Sequence, residues 1–228
     1  MKTKKTLSLA LVLVMILSLL AGCSVQQTTE LQQAFSSDAV LSQVYPENGG
    51  TVTLHTKKQD SYLNKPFALM YISATGKKEL SKPESVTLNW VYTGDEPAEK
   101  CTVSVSENEN MLNPTIYEVT GDSLVLTNLK IATTYYWTVD ADGANSAVYN
   151  FTTSADAPRN ISVDGVANVR DLGGWETESG TRTKQGLIYR CGRLNESSAD
   201  TVNIEITEDG KNVMLGQLGI KSEIDLRK

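Results

Sequence analysis

The 228-residue chain is 40% hydrophobic and 21% charged, and its 27 acidic residues outnumber its 21 basic ones, for a net charge of −6. It has enough apolar residues for one or two folded domains, while its acidic balance argues against a nucleic-acid-binding protein. The only histidine is His55, and neither Cys-x-x-Cys nor His-x-x-x-His spacing occurs. We therefore predict no metal site and no cofactor.

Residues 1–22 have the pattern of an export signal. Three lysines precede an apolar run from Leu7 to Leu20, and Ala-Gly then leads to Cys23. At helical rise the run covers roughly 21 Å, short of the roughly 30 Å hydrocarbon core, so a cleaved signal is favoured over a transmembrane anchor. The Leu-Ala-Gly-Cys ending resembles a bacterial lipobox, which implies that Cys23 is lipidated and holds the protein to the extracytoplasmic face of the cell membrane. Without residues 1–22 the net charge is −9, from 18 basic and 27 acidic residues.

Residues 23–38 are polar and predict a tether, and residues 39–154 then change to short alternating strands separated by Gly, Asn and Asp turns. This spacing predicts an antiparallel β-sandwich. Val86, Leu88 and Trp90 share one face of their strand, where the indole would fill the space between two sheets. The predicted strands are 51–56, 67–73, 85–92, 101–106, 115–119, 123–127, 134–141 and 147–152. Within them, Cys101 is expected to be a buried, inert thiol, and His55 an ordinary strand residue.

The stretch 129–139, Leu-Lys-Ile-Ala-Thr-Thr-Tyr-Tyr-Trp-Thr-Val, resembles the fibronectin type III pattern Leu-x-Pro-x-Thr-x-Tyr. The resemblance implies that Tyr135 forms a tyrosine corner, with its hydroxyl bonded to a backbone group upstream. Ile131 stands where the family usually has Pro. Another immunoglobulin-like sandwich is the alternative, and modules of either kind act as spacers or binding surfaces.

Residues 155–228 begin with a linker and then have a different pattern. Strands are predicted over 161–163 and 187–189, a polar loop over 195–205, and a strand over 220–227. Between the last two, Thr207 would cap a helix that Gly219 ends. The apolar face of that helix consists of Val213, Met214 and Leu218. A helix followed by an apolar strand is half of a βαβ unit, so we expect an α/β domain.

Four motifs occur in this region: Asn-Val-Arg-Asp-Leu-Gly-Gly-Trp at 168–175, Gly-Leu-Ile-Tyr-Arg-Cys-Gly-Arg-Leu at 186–194, Leu-Gly-Ile at 218–220 and Ile-Asp-Leu-Arg at 224–227. In this order they resemble the first part of the catalytic domain of the atypical bacterial protein-tyrosine/serine phosphatases. The resemblance implies a Cys-x5-Arg loop at a helix N-terminus, with a thiolate nucleophile, an Arg that binds phosphate and an Asp that protonates the leaving oxygen. The expected substrate is a phosphoprotein or a small phosphoester.

That loop does not occur in residues 1–228. The residues six positions after Cys23, Cys101 and Cys191 are Thr, Glu and Ser. Cys191 follows Arg190 rather than the family's His, so it receives no nucleophilic role. We assign no catalytic residue and expect the chain as given to be inactive.

An incomplete α/β domain would leave its last apolar strand as an exposed edge. We therefore expect either a longer natural protein or a truncated reading frame. The alternative is that residues 159–228 are a small non-catalytic appendage of the sandwich.

Six residues of the motifs are candidates for the rim of the phosphate pocket, because ligand groups gather where strands end. The structural alternative is that the charged ones pair with one another and with backbone groups. The six are Arg170, Asp171, Gly173, Gly174, Asp225 and Arg227.

Two functions remain from the sequence. One is a membrane-tethered, extracytoplasmic tyrosine/serine phosphatase that lacks its catalytic loop here, or a pseudoenzyme in which that loop is altered. The other is a lipid-anchored protein whose fibronectin-like module binds a surface partner, with a vestigial phosphatase segment.

Overall fold

The computed structural model describes residues 41–64, 82–93, 100–141, 143–192, 194–196 and 204–226. The export signal, Cys23, the tether, the predicted strand 67–73 and Arg227 lie outside the described residues. Apart from Thr93, the described residues belong to one compact unit.

Two β-sheets form the N-terminal part of this unit. The first contains β1 (Leu41–Tyr45), β3 (Val86–Tyr92) and β6 (Ser123–Leu126) in the order β1-β3-β6, all antiparallel. The second has the order β2-β9-β7-β4-β5, with β8 also paired to β7. In it β2 and β9 run parallel, and its other pairs are antiparallel. Its strands are β2 (Gly50–Val52), β4 (Cys101–Ser106), β5 (Thr115–Val119), β7 (Thr134–Ala141), β8 (Ala144–Asn145) and β9 (Tyr149–Thr153).

The core between the two sheets is aromatic. Val86, Leu88 and Trp90 are all buried on one face of β3, as the alternation predicted. Trp90 meets Trp137 of β7 with ring centroids 6.4 Å apart and ring planes tilted by 53°. Tilted pairs of this kind suit the quadrupoles of aromatic rings, so the two indoles pack favourably against each other between the sheets.

The predicted tyrosine corner is present. The hydroxyl of Tyr135 accepts a hydrogen bond from the backbone N–H of Lys130 at 2.8 Å. Ile131, in the position where the fibronectin pattern has Pro, is 1% exposed and packs in the core. The bond fixes the loop between β6 and β7, residues 127–133, which we call the junction loop.

The N-terminal end of the sandwich differs from the prediction at two places. Strand β1 was not predicted, and the strand predicted over 51–56 ends at Val52. A helix, α1 (Lys57–Leu63), follows because Thr56 caps it by accepting from the backbone N–H of Gln59 at 3.1 Å. The interpretation of His55 as an ordinary strand residue was therefore wrong. It is buried just before α1, with Nε2 3.0 Å from the carbonyl oxygen of Pro158.

The part of the chain after the linker, residues 159–226, is called the C-terminal segment below. It contains a three-stranded antiparallel sheet with the order β10-β11-β12, formed by β10 (Asn160–Val163), β11 (Val166–Asp171) and β12 (Tyr189–Arg190). The first prediction, a strand over 161–163, is confirmed. The second is displaced, since β12 begins at Tyr189, and Leu187 and Ile188 are each 64% exposed.

The helix predicted after Thr207 is present as α2 (Glu208–Asn212), continued by a π-helical turn over Val213–Gln217. Thr207 caps it by accepting from the backbone N–H of Gly210 at 3.1 Å. Gly219 ends it with a φ of +65°, a conformation that glycine adopts without strain. The predicted apolar face, Val213, Met214 and Leu218, packs on the buried residues Ile161, Val163, Val166 and Val169 of the small sheet.

Two other expectations for the segment do not hold. The region 195–205, predicted to be a loop, contains a two-residue ladder between β13 (Asn195–Glu196) and β14 (Ile204–Glu205). The strand predicted over 220–227 was wrong, because residues 220–226 have no strand structure and Ile224 and Leu226 are 83% and 89% exposed. A strand gains stability only by pairing with a neighbour, and no described strand pairs with this stretch. The α/β architecture expected for the segment is therefore not confirmed.

Candidate functional site

Asp171 lies at the end of β11 and is buried. Its side chain has no solvent exposure, and Oδ2 accepts from Arg159 Nη1 at 2.8 Å and from the backbone N–H of Gly186 at 2.7 Å. Oδ1 accepts from the backbone N–H of Gly173 at 2.8 Å. Three donors thus hold both carboxylate oxygens, which is the arrangement expected of a residue that fixes a turn.

Arg159 is the partner that sequence reasoning missed. Its side chain is 6% exposed, and besides Asp171 it donates to two carbonyl oxygens of the junction loop. Nε donates to Leu129 O at 3.1 Å, and Nη2 donates to Asn128 O at 2.6 Å. One guanidinium therefore joins the sandwich to the turn that follows β11, using its fixed fork of donors. No motif or spacing marked this residue.

The two glycines of the motif are required by close contacts. A Cβ at Gly173 would overlap the carbonyl oxygen of Lys184. Gly174 has a φ of +86°, and a Cβ there would lie 2.9 Å from Cδ1 of Ile131 in the junction loop. The double glycine thus lets the turn after β11 pack against its own segment on one side and against the sandwich on the other.

Amide side chains complete this contact between the segment and the junction loop. Gln185 bonds both backbone groups of Ile131: its Oε1 accepts from N–H at 3.0 Å and its Nε2 donates to O at 2.9 Å. Asn128 bonds both backbone groups of Ser162 in the same way, at 2.7 and 3.1 Å. Gln217 donates to Thr127 O at 3.2 Å.

Arg170 and Arg190 have a different environment. They lie directly opposite each other on β11 and β12. Neither has an ion pair with another described residue, whereas Arg159 pairs with Asp171, and Arg182 with Glu176. The Nε of Arg170 is buried without a hydrogen-bond partner among the described residues. Like charges directly opposite in a sheet destabilise it, and here the charge of Arg190 is exposed to water while Arg170 is half-buried.

The remaining predicted rim residues are less defined. Asp225 lies in the irregular stretch after Gly219, and Arg227 is outside the described residues. Their part in a rim, like that of Gly173 and Gly174, stays a prediction.

Neither described cysteine has the surroundings of a nucleophile. Cys101 is 1% exposed, as predicted, and neither Cys101 nor Cys191 forms a disulfide with a described residue. Burial, and secondarily the carboxylate of Glu223, raise the pKa of the Cys191 thiol above its ordinary value, although Arg190 opposes them. A nucleophilic cysteine needs the opposite shift, towards the thiolate.

A groove of about 770 Å³ runs along the contact between the sandwich and the segment. Its walls include Glu107, Tyr117 and Tyr135 from the sandwich, and Arg159 and Tyr189 from the segment. Arg170, Gly173, Gly174 and Asp225 do not line it. The groove and the predicted rim are therefore separate places.

The C-terminal segment is similar to a known protein family. Residues 161–228 match the model of the tyrosine phosphatase family. The match covers less than half of the chain and spans β10, β11, β12 and α2. It supports a phosphatase-like protein and says nothing of the sandwich.

One of the solved structures is similar to part of this chain. It is a fibronectin type III domain of human contactin 1, 23% identical, over 38% of this chain and 79% of that chain, with a TM-score of 0.29. That score is too low to carry an argument, and the sandwich is identified by its own strands and tyrosine corner. No curated protein matches the chain.

Proposed function

We propose that this protein is a membrane-tethered, extracytoplasmic phosphatase of the tyrosine/serine type. The observation that carries the proposal is the match of residues 161–228 to the tyrosine phosphatase family. The motifs at 168–175 and 186–194, on which the resemblance was based, both fall inside the matched range. The substrate is a phosphomonoester, either on a protein or on a small molecule.

The chemistry proposed is hydrolysis through a phosphocysteine. A thiolate attacks phosphorus and forms the S–P bond while the P–O ester bond breaks, an acid gives its proton to the leaving oxygen, and water then hydrolyses the S–P bond. The thiolate and its phosphate-binding Arg belong to a Cys-x5-Arg loop that residues 1–228 do not contain. We therefore expect these residues alone to be inactive and the loop to be encoded elsewhere in an active protein.

Arg170 and Arg190 support a role for this segment in binding phosphate. They face each other across β11 and β12 without a carboxylate partner among the described residues. Two guanidinium groups so placed suit the oxygens of a phosphate dianion, which would also relieve their mutual repulsion. Asp171, whose oxygens are both occupied, would act by fixing the turn beside them.

The membrane tether rests on the sequence. The Leu-Ala-Gly-Cys ending of residues 20–23 supports lipidation of Cys23, and residues 24–38 give a polar spacer. Within the part of the chain that the structure describes, no helix is both long and apolar enough to cross a bilayer. Metabolic labelling with a fatty-acid analogue tests the anchor, since Cys23→Ala should abolish the label.

The activity is tested with p-nitrophenyl phosphate and two proteins. One consists of residues 24–228, and the other continues into the coding sequence after Lys228. Vanadate-sensitive turnover by the longer protein and none by the shorter one would support the proposal. Silence from both would favour the lipid-anchored binding protein, and turnover by the shorter one would refute the argument from the missing loop.

The phosphate rim is tested in the longer protein. Arg170→Ala should raise KM for p-nitrophenyl phosphate by about tenfold, the equivalent of one lost charge-assisted hydrogen bond. Lys211→Ala is the control, because Lys211 is exposed and pairs with Glu208 on α2, and neither residue is a candidate for the rim. If the Arg170→Ala variant had the same KM as the control variant, Arg170 would not be part of the phosphate rim.

A further inference from the structure

The junction loop, residues 127–133, offers its backbone to the C-terminal segment. Five of its backbone carbonyl oxygens and N–H groups form hydrogen bonds with side chains of the segment. They are Thr127 O, Asn128 O, Leu129 O and both backbone groups of Ile131. The donors and acceptors that meet them come from Arg159, Gln185 and Gln217.

The loop is held in this conformation by the sandwich itself. Tyr135 accepts from Lys130 N–H at 2.8 Å, and Thr153 Oγ1 donates to Lys130 O at 2.6 Å. Thr133 Oγ1 donates to Ile131 O at 2.9 Å. A surface whose backbone is already fixed loses little entropy when another element binds to it, so the loop is preorganised for the segment.

The turn after β11 depends on that surface. Asp171 holds the N–H groups of Gly173 and Gly186, but its own charge is balanced by Arg159, whose other donors are on the junction loop. A Cβ at Gly174 would lie 2.9 Å from Cδ1 of Ile131, so the backbone of the turn also lies close to the same loop. A buried carboxylate without a paired cation is strongly disfavoured. The conformation of the turn therefore depends on the ion pair with Arg159, and the position of Arg159 depends on its hydrogen bonds to the junction loop.

We infer that the sandwich is an internal scaffold for the phosphatase-like segment, with the junction loop as the template that sets the conformation of the turn 171–174. This gives the fibronectin-like module a function other than that of a spacer or a receptor for another protein. The end of the sandwich formed by the junction loop is occupied within the chain. The inference rests on these contacts alone and would hold whether or not the protein is a phosphatase.

The test is hydrogen exchange measured by mass spectrometry on residues 24–228. Gln185→Ala removes both bonds to Ile131 from the segment side, and Asn128→Gly removes the bonds to Ser162 from the sandwich side while keeping a residue that accepts the φ of +59°. In both variants the amides of 171–174 should exchange at least tenfold faster than in the unchanged protein. Lys184→Ala, an exposed neighbour of Gln185, is the control and should leave them unchanged.

Peptides from β7 show whether the effect is local. Faster exchange at 171–174 with β7 unchanged would mean that the turn alone detaches, and faster exchange in both would mean that scaffold and segment open together. Either result supports the template. Exchange at 171–174 that is unchanged in both variants would overturn it, because the turn would then be fixed by the segment alone.

Discussion

Replacing Asp171 by Asn removes one charge from a buried ion pair and keeps the shape of the side chain. The carboxylate has no solvent exposure and Arg159 is 6% exposed, so neither charge can be compensated by water. Asn also places an amide N–H₂ where donors already point, since Arg159, Gly173 and Gly186 all donate to this carboxylate. We expect a large loss of stability from a one-atom change.

The size of that loss follows from the environment of the pair. Removing one partner of a buried pair costs about 3–5 kcal/mol in the free energy of unfolding, and we expect the lower end of that range because Asn keeps one acceptor oxygen. For a folded unit of this size the loss corresponds to a fall in Tm of about 6–12 °C.

Urea unfolding followed by tryptophan fluorescence measures the effect. Asp164→Asn is the control, because Asp164 is exposed in the turn between β10 and β11 and should change stability by less than about 0.5 kcal/mol. A double-mutant cycle with Arg159→Met should give a coupling energy of about 1–3 kcal/mol. An Asp171 variant as stable as the Asp164 control would refute the reasoning from burial.

Three further predictions concern the corner, the motif turn and the free thiol. Tyr135→Phe leaves a backbone N–H without its acceptor and should lower the free energy of unfolding by about 1–3 kcal/mol in urea titrations. Burial raises the pKa of the Tyr135 hydroxyl well above its usual range, so above about pH 10 the tyrosine ionises in the unfolded chain before it ionises in the folded one, which lowers the free energy of unfolding. The Tyr135→Phe variant should therefore lose less free energy of unfolding between pH 10 and 12 than the unchanged protein. Equal losses would contradict this. Gly174→Ala should lower the free energy of unfolding more than Gly180→Ala does, because both glycines have φ near +80° but only at Gly174 would the added Cβ meet a neighbour within 4 Å. Equal falls in Tm for the two variants would count against this packing argument. Burial raises the pKa of Cys191, so its rate of alkylation by iodoacetamide should still be rising at pH 9, and a plateau below pH 8 would be inconsistent with that environment.

Local patterns predicted the central strands of the sandwich, although not β1 and α1 at its N-terminal end. The alternation of Val86, Leu88 and Trp90 identified the buried face of β3, and the spacing around Tyr135 identified the corner. At the other end of the chain, Thr207 and Gly219 marked the start and the end of the helical region. In each case the signal lies in residues close together in the sequence, where periodicity and capping act.

The contacts between sandwich and segment could not be predicted in that way. Gln185 bonds Ile131 across 54 positions, and Arg159 bonds Leu129 across 30. A buried Arg or Gln that satisfies distant backbone groups has the same local sequence as an exposed one. The motif 168–175 did single out Asp171 and the glycines, but the partners that explain them lie outside it.

The strand expected over 220–227 shows the limit of an apolar pattern. Ile220, Ile224 and Leu226 suit a buried strand, yet pairing with a neighbour decides whether one forms. In the described part of the chain this stretch is irregular and exposed. The same uncertainty applies to the rim residues Asp225 and Arg227, whose positions depend on it.

The sandwich and the segment that matches the tyrosine phosphatase family form one folded unit, joined through Arg159 and the junction loop. Native-state hydrogen exchange at increasing urea tests this most directly, with amides of β7 reporting on the sandwich and amides of β11 on the segment. One unit predicts that both sets open with the same free energy and the same dependence on urea. Amides of β11 that open at low urea, while those of β7 stay protected, would show that the segment folds apart from the sandwich and would contradict the account.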